Sequence, residues 1–355
     1  MSEKRPIDKK RIIGIILMFV FFLGGSALSK YVVAQREAAA ENEYPMSRDV
    51  YLLDTYCQLT TYEGGGQEAL SAAVDALNDY DDTMNYSKEG SDIYNINHRS
   101  SDRVEISADT AKMLELAREL CIETNGVLEP AIRPVTSLWD FKEEKKVPDE
   151  AKLKEALSKV KSLAWHIEGT EFVAEDEDVL IDVGAIAKGF IADKIKTVMK
   201  DNGVTSGIIN LGGNVLCIGE RPDGTPFSIG VTDPGSEEGY SAALELNDIS
   251  AVTAGAYERY FIEDGVRYHH IIDPKTGYPA KTGLESVTIV GPVSGICDGL
   301  STSIFIMGKE AGTKFLESYN KAHGTAYEVY FLDEEYHDTS ETEADGESAA
   351  ANAAK

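Results

Sequence analysis

Four stretches of the chain hold residues whose types and spacing can do chemistry. Asp298 and Thr302 stand four positions apart in Asp298-Gly299-Leu300-Ser301-Thr302. On a helix that spacing stacks a carboxylate and a hydroxyl on one face. Hard oxygen donors of this kind suit Mg²⁺, which keeps other positions for water and phosphate. The plainer reading is an N-cap aspartate with a buried threonine. A second run is Ile181-Asp182-Val183-Gly184-Ala185-Ile186-Ala187-Lys188-Gly189. It reads as a strand ending at Asp182 and a glycine turn opening a helix. Free N–H groups at a helix start can bind a phosphate or a carbonyl. Lys188 falls in the first turns, where its charge opposes the helix dipole, so a ligand facing it accounts for the cation better. The plainer reading here is a strand-to-helix turn capped by Asp182.

The third stretch is Asn210-Leu211-Gly212-Gly213-Asn214. Paired glycines between apolar runs make hairpin turns. They also let backbone N–H groups form a nest for a diphosphate. The fourth is Tyr268-His269-His270-Ile271-Ile272-Asp273-Pro274-Lys275-Thr276-Gly277. Asp-Pro-Lys-Thr-Gly is a turn by composition. Adjacent histidines on a strand point to opposite faces, so one faces a site and the other is structural. His270 is the choice for the site. Nest, helix start, hard-cation ligands and a nearby histidine together fit a nucleotide diphosphate with Mg²⁺.

These residues need elements to hold them. Val50 to Tyr62 reads as one strand, broken by Gly64-Gly65-Gly66. Leu70, Ala73, Val74, Leu77, Asp81 and Met84 recur at helical spacing. Ser107 caps a helix with Gly126 just past its end, and Leu153 to Val160 mark another. Short strands follow at 178–182, 207–211, 227–231 and 286–291, with late helices starting near Gly184 and Asp298. The alternation is irregular, which predicts an α+β fold with largely antiparallel sheets flanked by helices. With 355 residues, 43% of them apolar, a sizeable core is available.

Composition excludes several functions. A net charge of −27 repels phosphate backbones, so no nucleic-acid partner is expected. Four cysteines without a CxxC exclude a zinc ribbon, a ferredoxin cluster and a disulfide scaffold. Residues 1–11 carry five cations against two carboxylates, and Ile12–Leu28 follows without a charge. That run spans about 25 Å as a helix, just short of a hydrocarbon core of about 30 Å. Residues 1–30 are read as a cytoplasmic stub with an uncleaved membrane anchor, in preference to a signal peptide. Residues 31–48 read as a linker and 49–332 as the catalytic body. Residues 333–355 read as an acidic disordered tail. The expected location is the cell membrane, with the body on the extracytoplasmic side.

The body resembles the ApbE family, the FAD:protein FMN transferases. The likeness runs over roughly residues 50–332 through eight segments in the family's order. They are TMNYSKEGSDIYNIN, NGVLEPAIRPVTSLWDF, IDVGAIAKGFIAD, INLGGNV, GVTDP, AVTAGAYERYF, HHIIDPKTGYP and CDGLSTSIFIMG. The resemblance implies that FAD is the substrate, with Mg²⁺ as the cofactor. FMN would pass to a Thr or Ser hydroxyl of another protein, and AMP would leave. It further implies Asp298, Thr302 and the carbonyl of Ala185 as metal ligands. Leu53, Ser87, Val127, Leu128, Glu129, Asp182, Lys188, Gly212, Gly213, His270 and Ile271 would contact FAD. His270 matches the family's active-site histidine, and either it or Asp298 could take the hydroxyl proton.

Three segments depart from the family pattern. Leu53-Asp54-Thr55 stands for Met-Gly-Thr, Glu129 for Asp, and Thr253-Ala254-Gly255-Ala256-Tyr257 for Thr-Ser-Gly-Asp-Tyr. Activity with altered recognition is the expectation. The alternatives are an Mg²⁺-dependent FAD pyrophosphatase and a flavin-binding export protein. The expected partner is an acceptor flavoprotein, either an ion-pumping redox subunit or an FMN-carrying extracellular protein. Tyr86, Tyr257 or Tyr278 could stack on the isoalloxazine or be core.

Overall fold

The computed structural model describes residues 44–236 and 239–334. The chain divides into two units, Met1–Met46 and Ser47–Lys355, and the architecture below is that of the second. The anchor, the start of the linker and most of the acidic tail fall outside the described residues. Among the described residues no helix is long and apolar enough to cross a membrane.

The stretch expected as one strand over 50–62 is a hairpin. β1 (Met46–Leu52) and β2 (Thr55–Glu63) meet at Leu53-Asp54, whose φ angles are 55° and 60°. Two left-handed residues in succession make the turn whose twist matches a hairpin. An aspartate tolerates that conformation, whereas a leucine is strained there by roughly 1 kcal/mol. The hydrophobic period carries no mark of the turn, because Leu52 and Leu53 continue it. β1 also begins at Met46, inside the stretch read as linker.

The helical periods become α1 (Gly66–Met84), α2 (Asp92–Asn97) and α3 (Ala108–Glu123), with β3 (Arg103–Glu105) between the last two. Ser107 caps α3, its Oγ accepting the Thr110 N–H at 3.2 Å. After a 3₁₀ turn at Pro130–Ile132 come α4 (Arg133–Thr136) and α5 (Glu150–Ser158). β4 (Trp165–Glu168) and β5 (Glu171–Ala174) join β3 in a small sheet.

Residues 178–182 were expected as a strand and are irregular backbone. The Asn97 amide takes the place of a partner strand. It donates to the Ile181 carbonyl at 2.8 Å and accepts the Ile181 N–H at 2.6 Å. The Arg99 guanidinium binds the carbonyls of Asp176, Glu177 and Val179. These side chains satisfy the backbone that a ladder would otherwise satisfy.

The remaining elements are α6 (Ala187–Asp201), β6 (Ser206–Leu211), β7 (Asn214–Ile218), β8 (Phe227–Thr232), β9 (Tyr240–Leu246), β10 (Ser250–Gly255), β11 (Tyr260–Glu263), β12 (Val266–His269), β13 (Leu284–Gly291), α7 (Ser294–Met307), α8 (Lys309–His323) and β14 (Glu328–Asp333). Seven described strands form the main sheet in the order β1-β2-β6-β7-β10-β13-β14. From β2 to β14 every pairing is antiparallel. The fold is therefore α+β, as expected.

Three helices cover one face of this sheet. α1 packs on β2, α6 on β6 and β7, and α7 on β10 and β13. The β8–β9 hairpin covers the other face, with Phe227, Val231, Leu244 and Leu246 against Cys217, Ala251 and Val290. A separate aromatic cluster ties 135–160 to the β11–β12 hairpin through Trp139, Phe261 and Ile272.

Candidate active site

A cavity of about 430 Å³ opens where the N-terminus of α6, the side of α7 and the loops of the sheet converge. Its wall gathers Leu53, Val127, Leu128, Glu129, Asp182, Ala185, Lys188, Gly212, His270, Ile271, Asp298 and Thr302. Every one of these was singled out in the sequence. Ser87 and Gly213 do not line it. Ser87 is exposed beyond the end of α1, and its N–H donates to Asn85 Oδ1 at 3.0 Å.

α7 begins at Ser294, so Asp298 sits a turn into its helix and caps something else. Asp298 is buried, and its Oδ2 accepts the Gly189 N–H of α6 at 2.8 Å. α6 has Ile186 at its N-cap and no side-chain cap of its own. A carboxylate from the neighbouring helix thus supplies the negative charge that an N-terminus favours. Gly189 is required for this contact. A Cβ there would lie 2.3 Å from the Ser294 carbonyl and 2.7 Å from Asp298 Cβ.

Three oxygens remain open on the same wall. Asp298 Oδ1, Thr302 Oγ1 and the Ala185 carbonyl have no hydrogen-bond partner among the described residues. A carboxylate, a hydroxyl and a carbonyl are a hard donor set that fits Mg²⁺. Among the described residues no group of three His, Cys, Asp or Glu could hold a metal. A cation here would share its shell with water or substrate oxygens.

Asp182 is not a helix cap. Its Oδ2 accepts the Thr136 hydroxyl at 2.6 Å with Arg133 at 3.8 Å, and its Oδ1 accepts the Gly184 N–H at 2.9 Å. It orders the loop that presents Ala185 and leads into the helix of Lys188. Lys188 lines the cavity and makes no ion pair or hydrogen bond among the described residues. This is the arrangement expected of a cation that faces a ligand.

The Gly212-Gly213 turn differs from the expected nest. Its N–H groups donate to the Tyr56 carbonyl and to Asn210 Oδ1, both at 3.1 Å. The glycines serve geometry instead. Both have positive φ, and a Cβ on Gly212 would lie 2.0 Å from Thr55 Oγ1. The turn therefore holds β2 and its cavity-lining residues close.

The two histidines separate as expected. His269 is buried, 3.0 Å from the Ala280 carbonyl and edge-on to Phe305. Burial lowers it to about 4. His270 lines the cavity, with Nδ1 3.3 Å from the Arg259 carbonyl. A carbonyl can only accept, so Nδ1 carries the proton and Nε2 keeps its lone pair. Loss of solvation in the wall, then the Arg259 and Lys188 cations, lowers His270 to about 3.

Several wall residues were missed in the sequence. Glu258 carries no side-chain hydrogen bond among the described residues, and the surrounding wall pushes its carboxyl up to about 7. Lys188 and Arg259 oppose that rise, and Asp298 adds to it. Glu258 itself is exposed. Glu129, which the sequence did single out, accepts the Ala131 N–H at 2.9 Å and is also raised, chiefly by burial. At the rim, Asp54 binds Lys142 Nζ at 2.6 Å and Arg259 Nη1 at 3.1 Å.

Trp139 and Phe141 stack at 5.9 Å on the wall, with Trp139 Nε1 donating to the Gly277 carbonyl at 2.9 Å. Of the three tyrosines considered, only Tyr86 lines the cavity, with Arg133 4.0 Å above its ring. Tyr278 packs edge-on to Trp139. The segment ending Leu138-Trp139-Asp140-Phe141 held the signal for the aromatic wall. Tyr257-Glu258-Arg259 held it for the carboxylate.

Fold and site define a protein with an antiparallel α+β frame whose cavity sets three open oxygens beside the unpaired Lys188. The ApbE family model matches residues 53–327, and the chain belongs to the ApbE family. It is 31% identical over 295 residues to the FAD:protein FMN transferase of Treponema pallidum (strain Nichols), covering 77% of this chain and 82% of that protein. It is 32% identical over 262 residues to the FAD:protein FMN transferase of Haemophilus influenzae, covering 69% of this chain and 74% of that protein. Among solved structures it resembles the ApbE protein of Thermotoga maritima, with a TM-score of 0.72 and 27% identity over 80% of this chain and 96% of that one. The flavin transferase ApbE of Vibrio cholerae shares the fold, with a TM-score of 0.70 at 23% identity over 82% of this chain and 98% of that one.

Proposed function

We propose that this protein transfers the FMN moiety of FAD to a Thr or Ser hydroxyl of an acceptor protein and releases AMP. One observation carries the reading. Asp298 Oδ1, Thr302 Oγ1 and the Ala185 carbonyl are open on one wall, with Lys188 unpaired in the same cavity. That is a site for a diphosphate and a divalent cation. The names of the relatives supply the flavin.

In the reaction the acceptor oxygen forms a bond to the FMN-side phosphorus. The bond from that phosphorus to the bridging oxygen breaks, and AMP leaves with the oxygen. Bound Mg²⁺, held by Asp298, Thr302 and Ala185, would supply charge stabilisation at the diphosphate. The protein's own share is positioning and electrostatics. Lys188 adds fixed positive charge without having to leave another partner. The Asp182–Thr136–Arg133 contacts hold the loop that carries Ala185 and leads into the helix of Lys188. Trp139, Phe141 and Tyr86 offer aromatic surface for a planar ring. The basic stub and apolar run before residue 30 support a membrane-anchored, extracytoplasmic enzyme acting on an exported or membrane acceptor.

The test uses the full chain with FAD, Mg²⁺ and a candidate exported acceptor domain, read by intact mass. The expected result is an acceptor heavier by one FMN phosphoester. The gain should be lost with EDTA and in Asp298→Ala. FMN and AMP in solution beside an unmodified acceptor would favour the pyrophosphatase. FAD that stays intact and unbound would sink the flavin reading.

A further inference from the structure

Asp54 sits at the cavity rim in a turn that does not itself call for an aspartate. Leu53 and Asp54 have φ angles of 55° and 60°. Glycine is the residue that the second place of such a turn favours, and the family pattern has glycine there. The aspartate thus brings a carboxylate where backbone geometry alone selects none, and the fold uses it. Oδ1 accepts a bond from Lys142 Nζ at 2.6 Å, and Oδ2 lies 3.1 Å from Arg259 Nη1. Asp54 holds Arg259 a second time, its carbonyl accepting from Nη2 at 2.9 Å. The turn is in turn fixed to α1, where Asp81 Oδ1 accepts the Leu53 N–H at 3.1 Å.

Arg259 carries the constraint onward. Its carbonyl accepts the backbone N–H of His270 at 3.0 Å and lies 3.3 Å from the ring Nδ1. His270 therefore takes both its place and its ring orientation from residue 259. Arg259 ends the connector between β10 and β11, and connectors move more than the elements they join. Among the described residues its guanidinium has no other hydrogen bond or ion pair, so Asp54 is its tether. The contacts run unbroken from α1 through the 53–54 turn and Arg259 to His270 on the cavity wall.

We propose that Asp54 is a positioning residue of the transfer reaction: its carboxylate tethers the Arg259 guanidinium, and the Arg259 carbonyl then fixes the His270 ring with Nε2 free for the acceptor hydroxyl. This rests on the flavin-transfer reading for the identity of that hydroxyl. The role needs no contact between Asp54 and FAD. Lys142 occupies the other carboxylate oxygen and keeps the group from swinging away from Arg259. These ion pairs are partly exposed and add little to global stability, so the role shows in the rate and not in the folding equilibrium.

The experiment compares the full chain with Asp54→Gly and Asp54→Asn. Both keep the carbonyl that binds Arg259, and both residue types accept positive φ, so neither disturbs the turn. The His270 ring is read first, without ligand, by nitrogen NMR of histidine-labelled protein, with His270→Gln to assign its signal. The wild type shows one neutral tautomer, with the proton on Nδ1. Asp54→Gly shows a mixture of the two tautomers, and Asp54→Asn keeps part of the wild-type pattern. AMP release is then followed with FAD, Mg²⁺ and a synthetic peptide bearing one threonine. Asp54→Gly lowers kcat about 10-fold and leaves the KM for FAD within about twofold, while Asp54→Asn recovers part of the loss. In an Arg259→Ala background Asp54→Gly costs nothing further, because the tether is already gone. An Asp54→Gly protein with the wild-type tautomer and kcat overturns the proposal. So does a loss that persists in full in the Arg259→Ala background, since the carboxylate would then act elsewhere. A loss carried by KM alone also overturns it, because Asp54 would be a binding residue. A wild type that neither binds nor cleaves FAD sinks the flavin reading, and the tautomer comparison still decides whether Asp54 sets the ring.

Discussion

Asp298 uses its two oxygens for different ends, and conservative substitutions separate them. Oδ2 satisfies a buried N–H of α6, while Oδ1 is open to the cavity. Asp298→Asn keeps an acceptor for Gly189 and should unfold within about 1 kcal/mol of the wild type in urea. Asp298→Ala leaves that N–H unpaired and should lose about 1–3 kcal/mol. Both should lose Mg²⁺-dependent transfer, which divides the stabilising role from the chemical one.

His269 gives a second residue-scale test. Its pKa is lowered from 6.5 to about 4, first by burial. A lowered value favours the neutral ring, so its contribution is present above 6.5 and is lost as pH falls through 4. Below 6.5 the unfolded chain takes up the proton that the folded ring refuses. His269→Gln should therefore be less stable than wild type at pH 7. The gap should narrow by roughly 1–3 kcal/mol between pH 6.5 and 4, read from urea midpoints at each pH.

At the scale of elements, the site is made by contacts that hold ends together. The Gly212-Gly213 turn closes on Thr55 so tightly that a methyl group cannot enter. Gly212→Ala places a Cβ against Thr55 at positive φ. It should cost about 2 kcal/mol or more, with lower FAD affinity because the 53–55 turn is displaced. Calorimetry and flavin titration would show both. The rim ion pairs of Asp54 with Lys142 and Arg259 join the 50s turn, the 140s loop and the connector after β10. They are partly exposed, so they contribute little to stability and act mainly by ordering three loops.

For the molecule as a whole, charge is the dominant fact. The sequence carries −27, yet the cavity holds Lys188, Arg133 and Arg259. Six carboxylates line the same cavity, so these cations act on an anionic diphosphate locally and not through a net positive field. Self-repulsion of the surface charge opposes the folded state. Raising salt from about 0.01 M to about 0.1 M cuts the screening length from about 30 Å to about 10 Å and should raise the melting temperature. A melting temperature that falls over that range would show that the attractive pairs outweigh the repulsion.

The sequence by itself determined the parts whose physics is local. Helical periods at 70–84 and 108–120, the Ser107 cap and the antiparallel α+β character follow from spacing and capping along a few turns of chain. The family segments likewise named twelve residues that the fold gathers on one wall. Only the tertiary structure decided the rest, because it depends on partners far away in the chain. Asp298 caps a helix that begins over a hundred residues earlier, and nothing in its own neighbourhood shows this. The 178–182 run has the apolar pattern of a strand, but Asn97 and Arg99 bind its backbone first. The glycine pair looked like a nest, and its N–H groups go to Tyr56 and Asn210. Glu258 joins Lys188 and Asp298 in one cavity only through the folding of distant segments. Burial, distance and competition for hydrogen bonds are properties of the packed chain, and one-dimensional spacing does not contain them.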